Sequence, residues 1–211
     1  AGKPVVAVIT SMAQPLGTHI GNALEVKDAI DVLAGRTQGD LLEISLLLGS
    51  HMLVLAEKAK TLPEARTMLE NALSSGAGLR KLAEMIAAQG GDPRVVEDLS
   101  LLPQAAVKRV MRAETAGYLS AMDTTALGMA AQRMGAGRAK KSDMLDYSVG
   151  YVLHVRLGDE VTEDTPLATL YARNEAEAEE AEKAIRKALT IARKKPQTPK
   201  LWDAVVTAEG I

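Results

Sequence analysis

The sequence predicts an α/β chain, α+β if the segment stands alone, in two modules that meet near residue 106. Three observations predict it. Residues 4–9, PVVAVI, form a continuous apolar run of β-type residues, the kind buried on both faces inside a parallel sheet. From there to about residue 105 the apolar residues recur at helical spacing, and from Val107 onward the period falls to two in short runs.

Each element follows from local chemistry. A buried strand at 4–9 needs partners, and the stretch after it reads as helices. Those partners are therefore expected from far downstream or from sequence outside these 211 residues. After the turn-rich loop TSMAQPLGTHIG, residues 22–35 place Ala23, Val26, Ala29, Ile30 and Leu33 on one helical face. Asn22 caps this helix, Glu25 suits its dipole and Gly35 stops it. Residues 40–60 read as a largely buried helix capped by Asp40, with a stripe of Leu41, Ile44, Leu47, Leu48 and Leu55 that tolerates Gly49. Leu62-Pro63 opens a third helix to Leu73, closed by Ser74, Ser75 and Gly76. A fourth runs over 79–89 to Gly90-Gly91, and Asp92-Pro93 starts a short one to about Leu99. In the second module VKRVMRA, GYLSAM, VGYVLHVRLG and PLATLYA read as strands, and residues 200–207 as a last one. Residues 123–134 and 174–195 read as helices, the latter a charged surface helix of i,i+4 Glu and Lys/Arg pairs.

Composition excludes several functions. A chain 47% hydrophobic and 25% charged has enough apolar surface to fold. With no Cys there is neither a disulfide nor a thiolate metal site. The net charge of -2 offers no basic field, and five aromatics (Tyr118, Tyr147, Tyr151, Tyr171, Trp202) make no stacking platform, so nucleic acid is not an expected partner. Every apolar run is broken well short of the roughly 20 residues that cross a bilayer, and the first residues do not resemble a secretory signal. The expected compartment is the cytosol, with no membrane partner.

Residues 11–35, SMAQPLGTHIGNALEVKDAIDVLAG, resemble the segment SMxxPLGxxxGNAxEVxEAI of the thymidine and pyrimidine-nucleoside phosphorylases. AAQGGDPRVVEDLSLLP at 87–103 and MGAGRAKKSDMLDYSVGYVLHVRLGD at 134–159 follow in the family's order and spacing. The resemblance implies that residues 1–106 are the helical remainder of the phosphorylase α/β domain and 107–211 the family's small carboxy-terminal α+β domain. Within the latter, LGDEVTEDTPLATLYA resembles the barrel-sandwich hairpin of lipoyl and biotinyl carriers, in fold only, because the carriers' modified Lys tripeptide does not occur. The implied activity is a pentosyl transfer in which phosphate attacks a pyrimidine nucleoside to release base and (deoxy)ribose 1-phosphate. Thymidine-restricted and broader pyrimidine specificity are both open. In the family a small helical domain for homodimerisation, a KHSTGG-type phosphate loop and the Arg, Ser and Lys that hold the pyrimidine all lie in the amino-terminal portion. None occurs here, so the chain is expected to be a truncated carboxy-terminal half, inactive alone, with no catalytic or substrate-binding residue of its own.

The resemblance also implies a structural monovalent or calcium-like cation held by the main-chain oxygens of Leu16 and His19 and the carboxylate of Asp28, a ligand set that suits hard cations. The family's residue at the acidic position is usually Glu, and the remaining ligands belong to the absent phosphate loop. The alternative is a helix-entry loop with Asp28 on a solvated face. The residues themselves offer two other anion-site candidates, Gln89-Gly90-Gly91 and the run MGAGRAKK at 134–141, and both read better as helix stops. His51 and His154 read as structural, and Glu25, Asp28 and Asp31 as helix charges. Two other function classes stay open: a noncatalytic binding or carrier-like module, and a regulatory fragment that binds a full-length phosphorylase.

Overall fold

The computed structural model describes residues 2–207. In chain order its elements are β1 (Ala7–Thr10), β2 (His19–Ile20), α1 (Asn22–Leu33), α2 (Asp40–Leu55), α3 (Leu62–Ser74), α4 (Ala77–Ala88), β3 (Val107–Arg112), β4 (Gly117–Met122), α5 (Thr124–Ala131), β5 (Gly150–Leu153), β6 (Glu160–Val161), β7 (Pro166–Ala172), α6 (Glu175–Ala188), β8 (Leu189–Ala192) and β9 (Trp202–Val206). The chain is thus mixed α/β. It forms two compact units that interleave in sequence: one from Ala1–Ser11, Ala29–Asp98 and Lys200–Ile211, the other from Met12–Asp28 and Leu99–Pro199. Segments 12–28 and 200–207 each join the unit that their place in the sequence would not suggest. No helix among the described residues is long and apolar enough to cross a membrane.

In the first unit, β1 pairs antiparallel with β9, Ala7 opposite Val206 and Ile9 opposite Ala204. Partners from far downstream or from sequence outside these 211 residues were expected, and β9 is one from downstream; it pairs antiparallel, where a strand of the parallel-sheet kind was expected. Val5 is 69% and Ile9 48% exposed. A continuous apolar run sets β tendency but does not say what covers the faces, and a two-stranded ribbon covers neither.

The helices of this unit begin and end by local rules. Thr61 accepts from the Glu64 amide while Glu64 accepts from the Lys60 amide, a reciprocal cap for α3. α2 departs from expectation at both ends. Its cap is Gly39, free to take φ 120°, and Asp40 is already helical. It stops at Leu55 rather than Lys60, because Glu57 adopts φ 57° and the Lys58 amide turns back to the Leu53 carbonyl at 2.9 Å. That is a left-handed stop without the usual glycine. The face it buries is Leu42, Ile44, Leu46 and Ser50, whereas Leu48 and Leu55 are exposed. Val32, Leu42 and Leu46 make the small core, flanked by Leu41, Leu69 and Leu73.

The second unit holds two antiparallel sheets, ordered β2-β5-β7-β3 and β6-β4-β8. Met111, Leu153, Leu167 and Leu170 from the first sheet, Leu119 and Val161 from the second, and Leu127 and Ile185 from α5 and α6 form one core. It is aliphatic but for Tyr151, which is fully buried and donates its hydroxyl to the Leu127 carbonyl at 2.8 Å. Asp123 caps α5 and Asn174 caps α6. The helix expected to reach Lys195 ends at Ala188, and the chain runs straight into β8, where Leu119 faces Ile191. Its propensity for helix is overridden by the hydrogen bonds that the edge of β4 offers.

Candidate functional site

Of the motif segments, residues 12–28, 99–103 and 134–159 lie in the second unit. β2 is two residues long and survives because three other contacts hold it. His19 pairs with Val152 and Ile20 with Tyr151, and the Leu153 amide donates to the Thr18 carbonyl at 2.8 Å. Gly21 and Gly150 face each other where the strands leave the ladder. They sit at φ 133° and 148°, and a Cβ on Gly150 would stand 2.1 Å from the Ile20 oxygen, one on Gly21 2.4 Å from the Val149 oxygen. Only glycine allows backbones this close.

The start of α1 is held at two points by the motif segment 134–159. The Ala23 amide donates to the Tyr147 carbonyl at 3.0 Å, and the Asn22 side chain donates to the Ala136 carbonyl at 2.9 Å. Asn22 therefore does not cap its own helix as expected; Glu25 supports the end instead, accepting from the Gly21 amide at 3.3 Å. The Pro15-Leu16 turn is pinned by Arg156, whose guanidinium donates to the Pro15 carbonyl at 2.6 Å and the Leu16 carbonyl at 3.4 Å. Gln14 accepts from the Leu157 amide at 3.0 Å.

This geometry bears on the cation expected at Leu16, His19 and Asp28. His19 and Asp28 come together, Nδ1 to Oδ1 at 3.4 Å, with Thr18 Oγ1 3.0 Å from the same nitrogen. Asp28 is only 4% exposed, so the reading of a solvated carboxylate is corrected. Its face of α1 turns inward. The Leu16 carbonyl, by contrast, already accepts from a guanidinium, and a cation there must displace Arg156 or share the oxygen with a like charge. Of the three expected donors, the Asp28 carboxylate is buried beside the His19 imidazole and the Leu16 carbonyl is in use. Among the described residues no three His, Cys, Asp or Glu side chains gather where they would hold a metal.

The remaining candidates resolve into structure. Gly90 takes φ 81° and the Gly91 amide returns to the Ile86 carbonyl at 2.9 Å, so Gln89-Gly90-Gly91 is the stop of α4. In MGAGRAKK, Gly135 takes φ 106° at the end of a π-helical turn, Gln132–Ala136. The amides beyond it point at an anion, but the anion is the chain's own: Asp143 accepts from Ala139 and Lys140 at 3.1 and 2.8 Å. His51 has a buried Nε2 without a partner among the described residues. His154 shares a 2.7 Å hydrogen bond with Thr169, and burial, then the charge of Lys108, hold its pKa below the usual imidazole range. Asp31 pairs with Arg36 at 2.7 Å. Sequence reasoning missed Arg156, Asp143 and the Gly21–Gly150 contact. The glycine in SVGY was the one local signal for the last, while the long-range partners of Arg156 have none.

Residues 118–192 match the family described as Pyrimidine nucleoside phosphorylase C-terminal domain. Over 174 residues, 82% of this chain, the sequence is 49% identical to the pyrimidine-nucleoside phosphorylase of Bacillus subtilis (strain 168), covering 40% of that relative. It is 48% identical to the one of Geobacillus stearothermophilus over the same length and share. The enzyme of Staphylococcus aureus (strain USA300) is 42% identical over 191 residues, 90% of this chain and 44% of the relative. The chain spans less than half the length of the curated relatives it matches.

Proposed function

This chain is a relative of the pyrimidine-nucleoside phosphorylases and carries their carboxy-terminal domain, and on that premise we propose that it serves as the scaffold portion of such an enzyme. The reaction is attack of phosphate on the anomeric carbon of a pyrimidine nucleoside. The glycosidic bond breaks, its electron pair leaves with the base, and (deoxy)ribose 1-phosphate forms. Such a step is accelerated by positioning the phosphate and by preorganised donors facing the departing base. The residues that the resemblance assigns to those tasks are not among the 211, so this chain by itself supplies no phosphorolysis. In this reading 1–106 completes the phosphorylase α/β domain, 107–211 is the carboxy-terminal domain with its lipoyl-like hairpin, and the whole enzyme pairs as a homodimer through an amino-terminal domain.

The observation that carries the reading is 49% identity over 82% of the chain. Base release from thymidine and from uridine with phosphate tests it. The 211-residue chain should give no base above a buffer blank, and the same chain fused behind the amino-terminal portion of the Bacillus subtilis relative should give base. Activity of the chain alone overturns the scaffold role, and a folded but inactive fusion overturns the phosphorylase reading.

A monovalent or calcium-like cation at Leu16, His19 and Asp28 belongs to the same proposal. It is supported by a buried carboxylate whose ion-pair partner is a histidine rather than a lysine or arginine. Potassium or calcium, added to protein in a tetramethylammonium buffer, should raise the melting temperature of the parent and not of Asp28→Ala. An equal response of both proteins rules the site out.

A further inference from the structure

We infer that a cleft in the second unit, between the start of α1, the turn at 99–105 and the β3–β7 edge, binds a small phosphate-bearing ligand. Its volume is about 370 Å³, within the range that takes small molecules. Lys27 and Lys108 line it, and no Asp or Glu does. In a chain whose net charge is -2, that is a local excess of two positive charges in a concave site. Neither lysine forms an ion pair or hydrogen bond among the described residues.

The other polar groups of the cleft build its walls. Gln104 donates to the Leu99 carbonyl at 3.3 Å and the Leu102 carbonyl at 2.7 Å, which holds the turn in shape. Ser148 donates to Asp146 at 2.6 Å. Lys27, Lys108 and the Tyr171 hydroxyl are left as donors for a ligand, and Lys108 lies 5.7 Å above the Tyr171 ring. The charge of Lys108 is felt beyond the cleft, where it adds to burial in holding His154 below its ordinary pKa. An uncompensated charge has that reach; a paired one is largely cancelled.

Two lysines favour phosphate over carboxylate. A phosphomonoester carries about -1.5 to -2 charges at pH 7, matching two ammonium groups, and lysine binds phosphate as a point charge without needing a planar partner. Leu24, Leu102 and Pro103 offer apolar surface for an organic portion. This site does not depend on the function proposed above.

Binding is tested on the intact chain by calorimetry and by amide chemical shifts. Inorganic phosphate and ribose 5-phosphate are titrated separately, with potassium chloride at matched ionic strength as the blank. Saturable binding, with shifts centred on Lys27, Gln104 and Lys108, is expected, and the tighter of the two ligands identifies free or esterified phosphate as the natural form. Lys27→Gln and Lys108→Gln should each weaken binding about tenfold. Lys195→Gln is the control, since Lys195 stands 6.0 Å over the Tyr118 ring and does not line the cleft. It should bind like the parent. No saturation with either ligand, or an equal loss in all three variants, overturns the proposal. Far-UV circular dichroism of each variant separates lost binding from lost folding.

Discussion

Replacing Gly150 by alanine tests how the motif segments are locked together. The residue sits at φ 148°, and the added Cβ would come 2.1 Å from the Ile20 oxygen and 2.9 Å from the Gly21 Cα. A carbon and an oxygen in ordinary contact lie roughly 3.3 Å apart, so β2 and the entry to β5 must part by about 1 Å. Both obstacles are backbone, which cannot swing aside as a side chain would. The unfavourable φ costs about 1–3 kcal/mol. The ladder between β2 and β5 has only two residue pairs, His19 with Val152 and Ile20 with Tyr151, and lost backbone bonds there add about 1 kcal/mol each. The sum is about 3–5 kcal/mol, a drop in melting temperature of roughly 10 °C for a chain of this size.

Gly128 supplies the opposite case in the same unit. It lies inside α5 without a positive φ, and a Cβ there meets nothing within 4 Å. Gly128→Ala should therefore stabilise by about 0.8–1 kcal/mol, the helix propensity difference alone. Thermal melts by circular dichroism, with urea midpoints for the free energies, measure both variants against the parent. A Gly150→Ala melt within about 1 °C of the parent would falsify the close-approach argument. So would a Gly128→Ala variant less stable than Gly150→Ala.

Three further outcomes are expected. Tyr151→Phe removes the hydroxyl's bond to the Leu127 carbonyl in the core and should cost about 1 kcal/mol in urea melts at neutral pH. Burial also raises the Tyr151 pKa, so above about pH 10 the unfolded chain gives up a phenolic proton that the folded chain keeps. Stability present below that pH is then lost as pH rises, and the loss should be shallower in Tyr151→Phe; parallel alkaline limbs would contradict it. Asp146 is held below the usual carboxylate range, first by the Ser148 hydroxyl. Its contribution is present above an unfolded pKa of about 3.9 and disappears as pH falls through the lower folded value, so Ser148→Ala should flatten the acid limb of the urea midpoint curve. An unchanged limb would remove Ser148 from that role. Asn22→Ala should cost about 1 kcal/mol and speed amide exchange at the start of α1, and exchange as slow as the parent's would show that the bond to Ala136 holds nothing.

Most elements were legible because their causes are local. Gly90 acts within a few residues and is the helix stop expected of it, and the caps at Thr61, Asp123 and Asn174 are just as local. The errors lie where a distant partner decides. Residues 189–192 continue a helical pattern, but the edge of β4 takes them as a strand. β1 has the composition of a buried strand, and β9, its one partner among the described residues, covers neither of its faces. α2 stops at a left-handed Glu57, a residue whose type announces no stop.

For the site, sequence by itself pointed to the family and to the segments that carry its motifs, because ordered motifs are a one-dimensional property. Only the tertiary structure decided what those motifs hold. Asp28 changed from a helix charge into a buried partner of His19, Asn22 from a cap into a tie to Ala136, and Arg156 from an unremarked strand residue into the clamp on Pro15 and Leu16. The physical reason is separation along the chain. Helical period and caps are set by neighbours three or four residues away, whereas a clamp spanning 141 positions exists only once the fold has closed.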